Sequence, residues 1–139
     1  MAVLYFFGIF NKTYFMKLPD GYQRVMPYLI LKHPEGFFDF TRKVFDATEK
    51  MRVFEQDVFK HGEIQIGDCT IMFGGGNADW GYQPAGLFIY VDDADKTFQK
   101  AVDYGCKAIM PIADQSYGRS GGVQDPYGNT WWITAVIDQ

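Results

Sequence analysis

Two halves of this chain carry one order of elements at a spacing near sixty residues, and that repeat limits the fold more than any other feature. Tyr28-Leu29-Ile30-Leu31 lies sixty positions before Phe88-Ile89-Tyr90-Val91, and Phe38 lies sixty before Phe98. Gly67-Asp68-Cys69-Thr70-Ile71-Met72 lies sixty-one before Gly128-Asn129-Thr130-Trp131-Trp132-Ile133. In the first half, residues 22–32 are rich in β-branched, aromatic and leucine side chains and predict a strand, with Pro27 favouring a sheet edge. His33-Pro34-Glu35 opens a helix whose apolar face holds Phe37, Phe38, Phe40, Val44 and Phe45. Three short strands follow, at 47–54, 60–66 and 69–73, then a Gly-rich loop from Gly74 to about Pro84. In the second half, 87–91 predicts a strand, Asp92 or Asp93 caps a helix over 94–104, and Gly105 ends it. Strands at 107–112, 118–123 and 130–136 complete the series. A single βαβββ unit of about 55 residues is marginal alone. Two of them, near 22–74 and 86–137, predict an α+β fold of tandem modules. One curved mixed sheet would carry the helices on its convex face and a cavity on its concave side.

Residues 16–139 are expected to form this single domain. The first 15 residues are apolar but lack the basic flank and cleavage site of a secretory signal, and Met16 opens a stretch like an ordinary protein start. They are expected to be an upstream extension or loose tail. The alternatives are an arm on a partner subunit and a weak export signal. Seventeen acidic residues against thirteen basic ones leave a net charge of −4 and no basic stripe, which argues against nucleic acid as a partner. No apolar run reaches the roughly 18–20 residues of a membrane span. Cys69 and Cys106 have no metal-ligand spacing and read as reduced thiols of a cytoplasmic protein.

Strand alternation sorts the candidate site residues. Ile64 and Ile66 suit the helix-covered face, so His61, Glu63 and Gln65 should face the cavity, where a His and a Glu two apart can act as acid and base. Phe88 and Tyr90 share one face of their strand, and Trp132 and Thr134 one face of the last strand. These rings either line the cavity or pack the sheet; His61, Glu63 and Trp132 are expected to share it. Trp80 and Tyr82 sit on the Gly-rich loop, as a pocket lid or a dimer contact. Tyr117 precedes the last hairpin with Arg119, which either meets an anionic ligand or is a solvated charge. His33 reads as a helix-start residue. Gly74-Gly75-Gly76 lacks the Lys-Ser/Thr of a phosphate loop.

Several stretches together resemble the vicinal oxygen chelate superfamily of glyoxalase I, bleomycin- and fosfomycin-resistance proteins and extradiol dioxygenases. They are 25–29 (VMPYL), 61–68 (HGEIQIGD), 87–93 (LFIYVDD), 114–119 (DQSYGR) and 123–131 (VQDPYGNTW). They are most similar to its uncharacterised branch from phosphonate operons. The resemblance implies the fold above, a site bordered by the stretch around Tyr117, a common habit of homodimer formation, and one metal ligand on each of four strands. Those positions fall on Pro27, Met72, Gly86 and Trp132, none of which suits a hard divalent ion. No metal and no cofactor is therefore expected. The function so implied is binding of a small amphipathic or aromatic molecule in a metal-free cavity. The alternatives are a lyase, isomerase or transferase using His61 and Glu63 or a non-family metal site, and a degenerate module that only makes contacts.

Overall fold

The computed structural model describes residues 16–138, so the expectation for residues 1–15 lies outside the described residues. The first module runs β1 (Tyr28–Leu31), α1 (Gly36–Phe45), β2 (Thr48–Glu55), β3 (Val58–Ile66) and β4 (Cys69–Gly75). The second repeats it as β5 (Gly86–Tyr90), α2 (Ala94–Tyr104), β6 (Lys107–Gln115), β7 (Gly118–Gln124) and β8 (Thr130–Ala135). The tandem α+β modules are as the repeat predicts. The eight strands, however, hydrogen-bond as two four-stranded sheets, in orders β1-β4-β3-β2 and β5-β8-β7-β6, and not as one curved sheet. Within each, the first and last strands pair parallel and the others antiparallel. The modules are joined instead through the faces their helices cover.

That junction is aromatic. In α1, Phe37, Phe38, Phe40, Val44 and Phe45 are buried, and the helix ends at Asp46, whose left-handed backbone (φ 56°) lets its N–H reach the Thr41 carbonyl. Trp131 on β8 is fully buried, with its ring 4.4 Å from Phe45 and 6.3 Å from Phe40. α1 also packs on α2, and the Tyr104 hydroxyl donates to Asp39 at 3.1 Å across that contact. α2 is capped by the Asp93 carboxylate, which accepts from the Lys96 N–H, and closes at Gly105 (φ 123°). The covered faces thus share one core, and the opposite face of each sheet is open in part, with Tyr28, Phe88, Tyr90 and Trp132 exposed.

Asp125, the first residue of the turn before β8, ties this core together. Its Oδ2 accepts from Trp131 Nε1 at 2.8 Å and Asn129 Nδ2 at 2.9 Å, and its Oδ1 from the N–H groups of Tyr127 and Asn129. Asn129 Oδ1 in turn accepts the Ala85 N–H at the start of β5.

One strand departs from expectation. β1 begins at Tyr28, not Tyr22, because the preceding residues bond to side chains and backbone of neighbouring strands. The Tyr22 hydroxyl donates to Glu63, and the Gln23 amide exchanges two hydrogen bonds with the Thr70 backbone. Pro27, which has no N–H, lies just outside the strand and offers only its carbonyl, to Met72 N–H.

Candidate functional site

Register decides which side chains share the open faces. In the first sheet Tyr28 pairs with Met72, Met72 with Glu63, and Glu63 with Met51. Ile64 and Phe73, one step along their strands, lie in the core. His61 and Glu63 therefore occupy the open face, as strand alternation requires. In the second sheet the equivalent row is Phe88, Trp132, Gly122 and Met110. Tyr28 and Phe88 are thus counterparts, as are Met72 and Trp132.

On the first face four side chains form a hydrogen-bonded line. Tyr28 Oη lies 3.0 Å from His61 Nδ1, and His61 Nε2 lies 2.6 Å from Glu63 Oε2. Tyr22 donates to the other carboxylate oxygen. Glu63 is 2% exposed, because the segment carrying Tyr22 and Gln23 covers it. Burial pushes its carboxyl up, yet the hydrogen bonds from Tyr22 and His61 and the nearby Lys50 charge together hold it below the ordinary 4.5. The charged carboxylate has only donors around it, so Nε2 carries the His61 proton. In the neutral imidazole Nδ1 is then the acceptor of the Tyr28 hydroxyl. Burial, and then the Glu63 charge, raise the Tyr28 phenol above its ordinary value, so it rests protonated.

Tyr28 opens onto a cleft of about 510 Å³ lined also by Ile30, Gly74, Gly75, Asn77 and Trp80. β3 is irregular beside it, where Lys60 also lines the cleft. Val53 pairs with His61 but Phe54 with Phe59, so Lys60 is an extra residue, a bulge that shifts the strand end. Trp80 reaches the cleft from the Gly-rich loop, where Asn77 Oδ1 accepts the N–H groups of Asp79 and Trp80. Tyr82 instead lies against Gly76, where a Cβ would meet its ring at 2.8 Å. Gln65 stands opposite Thr70, near Gly21 of the covering segment, and away from the cleft.

The second face is a patch of rings. Phe88 lies 5.2 Å from Tyr90 and 6.0 Å from Tyr117 by ring centroid, and Trp132 is paired beside Phe88. Their exposures are 50%, 63%, 51% and 37%. Trp132 lies over Gly86, where a Cβ would sit 3.1 Å from the indole. Glycine there leaves room for the ring to lie on the sheet.

Two expectations change. His61 and Glu63 share one sheet face, whereas Trp132 stands at the equivalent place on the other sheet, beside Phe88. Arg119 is held at home. It makes two bonds to Asp95, at 2.6 and 3.0 Å, and one to Asp114 at 2.9 Å, so three carboxylate contacts occupy its fork. Its charge pairs neither with a ligand site nor with bulk water alone. His33 has the expected place, its carbonyl accepting the Gly36 N–H at the start of α1.

Sequence reasoning missed Tyr22 and Tyr28. For Tyr28 the signal is present: Phe88 is a candidate for lining the cavity, and Tyr28 lies sixty positions before it. Tyr22 gave none, since its bond to Glu63 spans 41 positions and depends on the chain crossing the sheet.

The metal positions do not fit an ion. Tyr28, not Pro27, is the open-face residue of β1, and it meets Met72, while Gly86 and Trp132 meet on the second face. Phenol, thioether and indole are a poor donor set for a divalent ion. No group of three or more His, Cys, Asp or Glu is placed to hold one among the described residues. Nor is any described helix long and apolar enough to cross a membrane.

A family description, Glyoxalase/Bleomycin resistance protein/Dioxygenase superfamily, matches residues 22–133. An uncharacterised protein of Mycobacterium bovis is 31% identical over 118 residues, covering 76% of this chain and 78% of its own. Among solved structures, TioX from Micromonospora superposes with a TM-score of 0.67 at 19% identity, covering 84% of this chain and 98% of TioX. TnmS3, an antibiotic binding protein from Streptomyces, gives 0.68 at 13% identity over 88% of this chain and all of TnmS3. The fosfomycin resistance protein FosX from Listeria monocytogenes gives 0.67 at 15% identity, over 83% and 94%.

Proposed function

This chain belongs to the Glyoxalase/Bleomycin resistance protein/Dioxygenase superfamily, and from that premise we propose that it binds a small amphipathic, aromatic molecule without a metal ion. The observation that carries this reading is the ring patch of the second module. Phe88, Tyr90, Tyr117 and Trp132 stand together on one sheet face, each more than a third exposed. Such an open aromatic surface stacks flat ligands and attracts cations through its ring faces. The net charge of −4 works in the same direction. The similarity to TnmS3, an antibiotic binding protein, agrees with it. No step requires a Lewis acid, in keeping with the donor set.

The site is half-built in one chain, since the polar face with His61 and Glu63 and the ring face with Trp132 belong to separate sheets. A homodimer in which the first module of one copy closes over the second module of the other supplies the missing wall. The setting is cytoplasmic, in keeping with two free thiols.

Proflavine, a flat aromatic cation, is the test ligand. It should quench tryptophan fluorescence in the parent, and Trp132→Ala should weaken its binding about tenfold, the loss of one good stacking contact. Equal binding by parent and variant would overturn the assignment. Elemental analysis finding one transition metal per chain would overturn its metal-free part, and light scattering showing only monomer would overturn the shared wall.

A further inference from the structure

We propose that the first module holds a proton-transfer site of its own, in which Tyr28 is the catalytic acid–base group and His61 and Glu63 relay and stabilise its proton, acting on a flat, mostly apolar molecule with an acidic C–H bond bound in the cleft at Trp80. The inference concerns the polar wall of the proposed site, and its readout, hydrogen exchange at Tyr28, is separate from proflavine binding on the ring patch.

The argument begins with direction. Glu63 is buried and accepts from both Tyr22 and His61, so its charge is fixed beside the imidazole. Tyr28 Oη lies 3.0 Å from Nδ1, and with Nε2–H committed to Glu63 the neutral imidazole accepts the Tyr28 hydroxyl there. A hydroxyl, an imidazole and a buried carboxylate in series are the arrangement that lets a weakly acidic oxygen give up its proton as it gains another. The phenol is also the member of the line that reaches open space, because Tyr28 lines the cleft and is 49% exposed, whereas His61 and Glu63 do not line it.

The proton balance closes without a further reactant. The C–H bond of the bound molecule breaks and its proton goes to Tyr28 Oη. The original hydroxyl proton passes to His61 Nδ1, forming an imidazolium beside the Glu63 carboxylate. The electron pair left on carbon spreads onto the molecule's own carbonyl oxygen as an enolate. Reversal returns a proton, or a deuteron in heavy water, to carbon. The cleft suits this class: Trp80 and Ile30 supply apolar walls, and the glycines at 74 and 75 keep the floor low. The Asn77 carbonyl oxygen is taken by two backbone N–H groups, which leaves its amide NH2 as a donor for the enolate oxygen.

The experiment follows exchange of the α-hydrogens of 2-indanone for deuterium by proton NMR in buffered D2O. The parent protein should exchange them faster than buffer alone. Tyr28→Phe, which keeps the ring, should lower the rate on the order of 10²-fold or more, the usual contribution of a positioned acid–base group. His61→Ala should lose rate and recover part of it when free imidazole is added. Trp80→Ala should raise KM with little change in kcat. Circular dichroism confirms that each variant is folded. No exchange above buffer by the parent, a Tyr28→Phe rate equal to the parent's, or a His61→Ala variant that imidazole does not rescue would each overturn the proposal.

Discussion

Replacing Asp125 by alanine tests the account of how the modules are held together. The substitution removes the acceptor for four donors: Trp131 Nε1, Asn129 Nδ2 and the N–H groups of Tyr127 and Asn129. Trp131 and Asn129 are 1% and 0% exposed, so water cannot replace the lost partner without the core opening. Each donor left unpaired costs about 1–3 kcal/mol, but the four are coupled and relax together. With that relaxation the net loss is about 3–5 kcal/mol, less than the sum of four separate donors. For a chain of this length that corresponds to a fall in Tm of about 10–20 °C. Asp125→Asn should cost less. It keeps one oxygen for the two backbone donors and removes a charge that burial disfavours, while its NH2 faces two other donors. Thermal unfolding followed by circular dichroism measures both variants, and the near-ultraviolet signal reports whether Trp131 keeps its packing. An Asp125→Ala protein melting within about 3 °C of the parent would refute the hub.

Glu63 makes stability depend on pH with a definite sign. Its folded pKa lies below the ordinary 4.5, so its contribution is complete above that value and drains away as pH falls towards the folded one. Urea unfolding should therefore show the parent's advantage over Glu63→Gln at pH 7 shrinking in acid; a constant gap would contradict the buried, hydrogen-bonded carboxylate. Gly86→Val should push the Trp132 indole off the sheet, since even one carbon there meets it at 3.1 Å, and proflavine quenching should weaken while folding persists. Cys106 is buried and its thiol is pushed up to about 12, whereas Cys69 is exposed, so a thiol reagent at neutral pH should label one cysteine per folded chain and two after denaturation.

Much of the architecture was legible because it rests on short-range pattern. The apolar spacing from Phe37 to Phe45 is a property of one helix, and the Asp93 cap and Gly105 stop define the other. The alternation of Glu63 with Ile64 on β3 assigned the polar face without any knowledge of the partner strand. The start of β1 was not legible. Residues 22–27 have the composition of a strand, and only the bonds of Tyr22 to Glu63 and Gln23 to Thr70 take them out of one.

By itself, the sequence determined the two modules, their element order and the polar face of β3, because periods of two and of 3.6 residues act on neighbours along the chain. Tertiary structure decided that the modules meet through Trp131 and the α1 phenylalanines, and that His61 and Glu63 stand on one hydrogen-bonded sheet and Trp132 on the other. It also decided that Arg119 is spent on Asp95 and Asp114, and that Tyr28, His61 and Glu63 stand in line. Those outcomes depend on distances between residues far apart in the chain, and local propensity carries no information about distances that only strand register and core packing set.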